Sequence, residues 1–277
     1  MKTLKKALRT QTLPAFAFIM LFAVSCSNCS YTNADNKKQS IAETKNIIVK
    51  DSASKDSVSK EILLGKIIPS KDTNFTSVDQ KYASRKGFYM QKEAYLSFKN
   101  MYDAALKEGV KLTIISATRT FNEQKVIWEG KWTGNVLYSG KNLATSYPDS
   151  VERSKYVLKY SSMPGTSRHH WGTDVDLNSL SLSYFKTETG KKMYNWLSAN
   201  ASKYGFCQPY TAKDSLRING YEEEKWHWSY FPVSSKYLKN YKEYIFYEDL
   251  KGFAGWETAL KIEVIKNYVL SINKECK

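Results

Sequence analysis

The sequence predicts an α+β fold: a single domain with a central, mostly antiparallel sheet flanked by helices, plus a C-terminal helical extension. Two observations lead there. Helical and β-rich segments mix along the chain without the regular strand–helix alternation that builds a parallel sheet. The composition, 42% hydrophobic and 14% aromatic, is ample for a core. Beyond the N-terminus no run of eighteen apolar residues signals a membrane span.

The elements follow in order. Residues 1–25 read as a signal peptide. Lys2, Lys5, Lys6 and Arg9 form a basic region free of acids, and the apolar stretch Leu13–Val24 follows, short for a bilayer span. AVSC, Ala23–Cys26, resembles a bacterial lipobox, with Ala23 where leucine is usual. That implies a lipid-anchored Cys26, hence a membrane partner and a cell-envelope location. Residues 26–61 are polar and short of aromatics. They cannot bury enough apolar surface to fold and are expected to form a flexible tether.

The main domain is expected over 62–240. Ala94, Tyr95, Phe98, Met101, Tyr102, Ala105 and Leu106 recur at helical spacing, and Gly109 ends the run. KLTIISAT, Lys111–Thr118, reads as a buried strand. A second helix follows from about Asn122, then a Gly-, Asn- and Ser-rich loop between Gly130 and Asp149. Val175 and Leu177 alternate with Asp174 and Asp176, as on a strand. Lys191–Tyr204 reads as a helix closed by Gly205, and Trp226–Tyr230 as another strand. In the extension, 241–277, Trp256, Ala259, Leu260, Val264, Ile265 and Tyr268 are spaced for one final helix packed on the domain.

Charge and cysteines narrow the setting. Removing the four leader cations takes the net charge from +15 to +11. For an exported chain such a charge suits anionic envelope polymers or lipid head groups, or simply a solvated surface, since the lysines are scattered. Export argues against nucleic acid as a partner. Cys29 lies just behind Cys26. Cys207 and Cys276, in an oxidising compartment, are expected to pin the C-terminus to the core as a disulfide, the alternative being two buried thiols.

The chemistry concentrates in two stretches. The chain has only three histidines. Two stand in SRHHWGTDVDLN, Ser167–Asn178, and the third in GYEEEKWHWSY, Gly220–Tyr230. His169, Asp176 and His227 make a set of two imidazoles and one carboxylate with a fourth position open, the usual arrangement of a catalytic zinc. Zinc so held makes a bound water acidic enough to attack near neutral pH. Taken singly, the same residues also fit a satisfied polar cluster and aromatic packing. A base beside that water would come from Glu222 or Glu224, which the residues alone do not separate. On a flat strand Glu224 and His227 point to opposite faces, so they converge only if Glu224 sits at a bend.

Ser167-x-His169-x-x-Gly172-x-x-x-Asp176 followed by Glu224-x-Trp226-His227 resembles the signature of the VanY/VanX-type zinc D-Ala-D-Ala peptidases. SATRTFNEQ, Ser116–Gln124, resembles a third motif of that family, in the family's order and spacing. The resemblance implies one Zn2+ held by His169, Asp176 and His227, with Glu224 as general base. It implies Arg119 acting on the substrate's carboxylate and carbonyl end, and Ser167 and Gln124 lining the pocket. It also implies a small α+β fold and peptidoglycan stem peptides as substrates, cut by removal of the terminal D-alanine; nothing in the sequence suggests more than a monomer. An L,D-carboxypeptidase, a D,D-dipeptidase, an L-Ala-D-Glu endopeptidase and a non-catalytic zinc-containing wall-peptide binder would share the site. Two positions depart from the pattern: Asp174 stands where alanine is usual, and Thr118 where tyrosine is. His170 has no role in the pattern and is expected to be structural or to support a ligand. Trp128 and Trp132 fit domain packing better than stacking on sugar rings.

Overall fold

The computed structural model describes residues 58–277. The signal peptide, Cys26 and most of the tether, residues 1–57, lie outside the described residues. No helix among the described residues is long and apolar enough to cross a membrane.

Ser59 caps the single turn α1 (Lys60–Leu63), its side chain accepting from the Ile62 amide. A small antiparallel hairpin follows, β1 (Phe75–Ser77) with β2 (Tyr89–Gln91). Gln91 then caps α2 (Lys92–Lys107), which buries Ala94, Tyr95, Phe98, Met101, Tyr102 and Ala105 along one stripe. The stripe is the one the spacing predicts, though Leu106 is exposed. α2 is followed by β3 (Ile114–Ser116), shorter than the predicted 111–118. The backbone leaves the sheet early because its polar groups are used elsewhere. The Ala117 carbonyl accepts from His169, and the Thr118 and Arg119 amides donate to Tyr89 and His169.

Thr120 and Glu123 form a reciprocal capping box at the start of α3 (Phe121–Trp132). α3 runs past Gly130, so the predicted loop begins later and contains the short α4 (Leu143–Ser146). α5 (Ser150–Val157) starts from an Asp149 cap. β4 (Asp174–Leu177), α6 (Glu188–Asn200), β5 (Phe206–Cys207) and β6 (His227–Tyr230) follow. α7 (Phe231–Tyr244) has no counterpart in the sequence reading. Its signal was Pro232 in the first turn and the spacing of Val233, Tyr237, Leu238 and Tyr241.

The extension does not form one helix. α8 (Thr258–Lys261) stops at Glu263, which has φ +47°, and a π-helical turn resumes at Ile265–Val269. Trp256 and Leu260, which the spacing placed in the buried stripe, are exposed. The extension does pack on the domain, through Ala259, Ile262, Val264, Val269 and Ile272. Cys207 and Cys276 are joined as a disulfide.

The main sheet has the order β3-β4-β6-β5, antiparallel throughout. Side chains on a strand alternate between faces, and this sheet separates them by chemistry. Ile114, Val175, Leu177, Phe206 and Trp228 join the core formed with α2 and α6. Ser116, Asp176 and His227 stand in register on neighbouring strands, as do Asp174 and Ser229. A second core gathers α1, α3, α5, α7 and the extension around Trp128, Trp171 and Tyr241. Trp128 and Trp132 are buried there, stacked at 5.8 Å, with the Trp128 indole donating to the Ala254 carbonyl.

Candidate active site

The site is assembled by one turn and two paired strands. Ser167 opens a 3-10 turn, Arg168–Trp171, its hydroxyl accepting from the His169 amide at 3.3 Å. Gly172 closes the turn with φ +70°, where an added Cβ would strike the Phe75 ring, so glycine is required. The turn carries His169 over β4, and cross-strand pairing sets Asp176 opposite His227. One ligand atom from each of His169, Asp176 and His227 lies within 4.8 Å of the others, and all three residues are buried.

The two histidines present different nitrogens. His169 Nδ1 donates to the Ala117 carbonyl at 2.8 Å, leaving Nε2 3.2 Å from Asp176. His227 Nε2 donates to Asp174 at 2.9 Å, leaving Nδ1 3.2 Å from Asp176 and 3.3 Å from Glu224. Asp176 Oδ1 is buried without a hydrogen-bond partner. Two imidazole nitrogens and an orphaned carboxylate oxygen, turned toward one point, fit a cation of zinc's ligand preference. His170 is not part of this set. Its Nδ1 donates to the Arg119 carbonyl and its Nε2 accepts from the Gly165 amide, so both nitrogens serve the backbone. Burial holds it neutral, with its pKa pushed down to about 3.

Glu224 reaches the cluster because it precedes β6 in a turn. The His227 amide donates to the Glu224 carbonyl at 3.2 Å, folding the two side chains onto the same side. That is the bend the spacing required. Burial raises the Glu224 pKa, with the nearby imidazole opposing. Glu222 turns away, is partly exposed and pairs with Lys213 at 2.8 Å. Burial also pushes the Asp176 carboxyl up, but the two imidazoles outweigh it and hold the group well below the usual range.

Arg119 lies at the end of β3. Its guanidinium donates to Gln124 at 2.7 Å and Ser116 at 2.8 Å, and stands 3.8 Å from Asp176. Gln124 differs from expectation. It is fully buried and absent from the cleft wall, because its amide bridges Arg119 and the Ser162 carbonyl. It therefore orients Arg119 instead of meeting a ligand. Ser167 does line the cleft.

The cleft over the cluster measures about 560 Å³. Its wall includes residues the sequence reading missed, among them Lys131, Tyr138, Tyr160, Ser161 and Tyr210. Lys131 follows Gln124 by two helical turns on α3 and so shares its face, a signal the spacing contained. Its ammonium donates to the Ser161 hydroxyl and sits 4.6 Å over the Tyr138 ring. Burial, reinforced by Arg119, lowers its pKa to about 8.

A family model for VanY, D-alanyl-D-alanine carboxypeptidase, matches residues 87–233. The Bacillus subtilis YodJ protein, provisionally named a carboxypeptidase, is 34% identical over 170 residues, covering 59% of this chain and 52% of that protein. A D-alanyl-D-alanine carboxypeptidase of Enterococcus faecalis is 31% identical over 136 residues, covering 49% of this chain and 46% of that protein. Among solved structures, a zinc complex of a variant VanY D,D-pentapeptidase from a VanB-type vancomycin resistance cassette is 24% identical. It covers 66% of this chain and 93% of that one, with a TM-score of 0.45. The chain spans about half the length of the curated relatives it matches. The family match takes in Arg119, the 3-10 turn with His169, both central strands and the Glu224 turn, and on its extent this chain belongs to the VanY D-alanyl-D-alanine carboxypeptidase family.

Proposed function

We propose that this chain is a zinc-dependent D-alanyl-D-alanine carboxypeptidase that removes the terminal D-alanine from peptidoglycan stem peptides. One observation carries the reading: His169, Asp176 and His227 converge in an open cleft with the Glu224 carboxylate 3.3 Å from His227. A single zinc ion held by those three residues would polarise the scissile carbonyl and acidify a water. Glu224 takes the proton from the attacking water and passes it to the departing amine. Arg119, fixed by Gln124 and Ser116 beside Asp176, supports the oxygen of the scissile carbonyl as charge builds there.

A carboxypeptidase must also recognise a free terminal carboxylate. With Arg119 committed beside the metal ligands, Lys131 and Ser161 are placed to receive it. Lys131→Met is expected to raise KM by about 10- to 100-fold, the range of a charged hydrogen bond, with kcat changed less. Lys131 is protonated below about pH 8 and neutral above it. Wild-type kcat/KM should therefore fall as pH rises through that value, and this limb should be missing in Lys131→Met. An unchanged KM in the variant would return the carboxylate to Arg119.

The reading includes export to the cell envelope, with a lipid on Cys26 and a polar tether before the catalytic domain, and a monomeric enzyme. Mass spectrometry of zinc-loaded protein incubated with pentapeptide and tetrapeptide muropeptides tests the reaction. Loss of one alanine from the pentapeptide supports it. Loss from the tetrapeptide alone would mean L,D-carboxypeptidase activity, a cut between L-Ala and D-Glu would mean the endopeptidase, and hydrolysis of free D-Ala-D-Ala supplied as a third substrate, with both muropeptides intact, would mean the D,D-dipeptidase. Intact substrates in the presence of bound zinc would mean a wall-peptide-binding module.

A further inference from the structure

Asp174 lies outside the ligand set, yet it is the most heavily bonded carboxylate in the site. It is fully buried on β4, two residues before Asp176. Its Oδ1 receives Arg168 Nε at 2.9 Å and His227 Nε2 at 2.9 Å. Its Oδ2 receives the Thr173 hydroxyl at 2.6 Å and the Ser229 hydroxyl at 3.0 Å. Four donors thus fill both oxygens. Arg168 is itself buried, donates to Ser229 at 2.6 Å and stacks 4.7 Å over the Trp171 ring.

A histidine that holds a metal gives one nitrogen to the ion and must place its remaining N–H on an acceptor. For His169 that acceptor is the Ala117 carbonyl, a neutral group. For His227 it is a carboxylate, which makes the imidazole a stronger donor and fixes its tautomer and ring plane. A buried carboxylate stays ionised only beside a counter-charge, and Arg168 supplies one. The register explains the reach: Asp174 pairs with Ser229, so it stands diagonal to His227 and next to Asp176.

We propose that Arg168 and Asp174 form a positioning relay that holds His227 with its proton on Nε2 and its Nδ1 lone pair on the metal, tightening the zinc site of this chain. Asp174 is a positioning residue, acting through His227 and not on substrate. The inference rests on the zinc peptidase reading and adds to it a determinant of metal affinity absent where alanine occupies this position.

The test is zinc affinity by competition with a chromophoric chelator, beside the imidazole proton–nitrogen NMR spectrum of the zinc-loaded wild type. Asp174→Asn should weaken zinc binding by about 10- to 100-fold. Because that change strands the buried Arg168 charge, the double variant Arg168→Met with Asp174→Asn is measured too, removing both charges together. It should show the same loss with near-ultraviolet circular dichroism unchanged. The wild-type spectrum should place the His227 proton on Nε2, a readout that needs no variant to fold. A folded double variant that binds zinc as tightly as wild type would overturn the inference alone. So would a His227 proton on Nδ1. Wild-type protein that binds no zinc would overturn the peptidase reading, and this inference with it.

Discussion

On the function we propose, Glu224→Ala is expected to lower turnover by about 10²- to 10⁴-fold, the usual contribution of a general base, with zinc binding retained. The carboxylate is outside the three-residue ligand set and 3.3 Å from one member of it, so its removal leaves the ligands in place. It also leaves His227 anchored through Nε2 on Asp174. The effect should therefore appear in kcat and kcat/KM together, with metal content at wild-type stoichiometry. Glu222→Ala is the internal comparison, because that side chain pairs with Lys213 at the surface. Its turnover should stay within about twofold, as for surface substitutions generally. Single-turnover release of D-alanine, with zinc measured by elemental analysis, decides the matter. A Glu224→Ala enzyme that keeps more than a tenth of wild-type turnover would show that the proton leaves by another route.

The second large effect is on stability. The Cys207–Cys276 bridge closes a loop with a sequence separation of 69. Chain-entropy arguments give such a crosslink about 4 kcal/mol. For a domain of this size that corresponds to a fall in Tm of about 10 °C when the bridge is lost. The crosslink also secures the cleft. Beside it, the Asn273 amide donates to the Pro209 carbonyl at 2.9 Å and the Asn273 side chain to Gln208 at 3.2 Å. Tyr210, next in sequence, packs its ring 4.8 Å from His227 and lines the cleft. Cys276→Ala should therefore lower Tm by about 10 °C, as should reduction of the wild type, with no further fall when reductant is added to the variant. Calorimetry showing a shift under 2 °C would mean that packing of the extension alone holds the tail.

How much of this was legible beforehand depends on the range of the signal. The α2 stripe and the alternation on β4 are written in neighbouring residues, because helix and strand periods act over a few positions. The same locality misled at the C-terminus. Residues 256–268 are spaced for one helix, but packing buries Ala259 and Val264, exposes Trp256 and Leu260, and breaks the run at Glu263. α7 went unread although its apolar spacing was present, hidden among lysines and tyrosines.

The site divides along the same line. The clustering of all three histidines beside carboxylates was a property of the sequence by itself, as were the positions of His169, Asp176, His227 and Arg119 in recognisable patterns. Only the tertiary structure decided what each neighbour does. It put Glu224 in a turn and Glu222 at the surface, withdrew Gln124 from the cleft to brace Arg119, brought Lys131 to the cleft wall, and joined Asp174 to His227 and Arg168. The Asp174–His227 and Asp176–His227 contacts follow from strand register between segments some fifty residues apart, where a shift of one residue turns every side chain to the other face, so no local pattern could determine them.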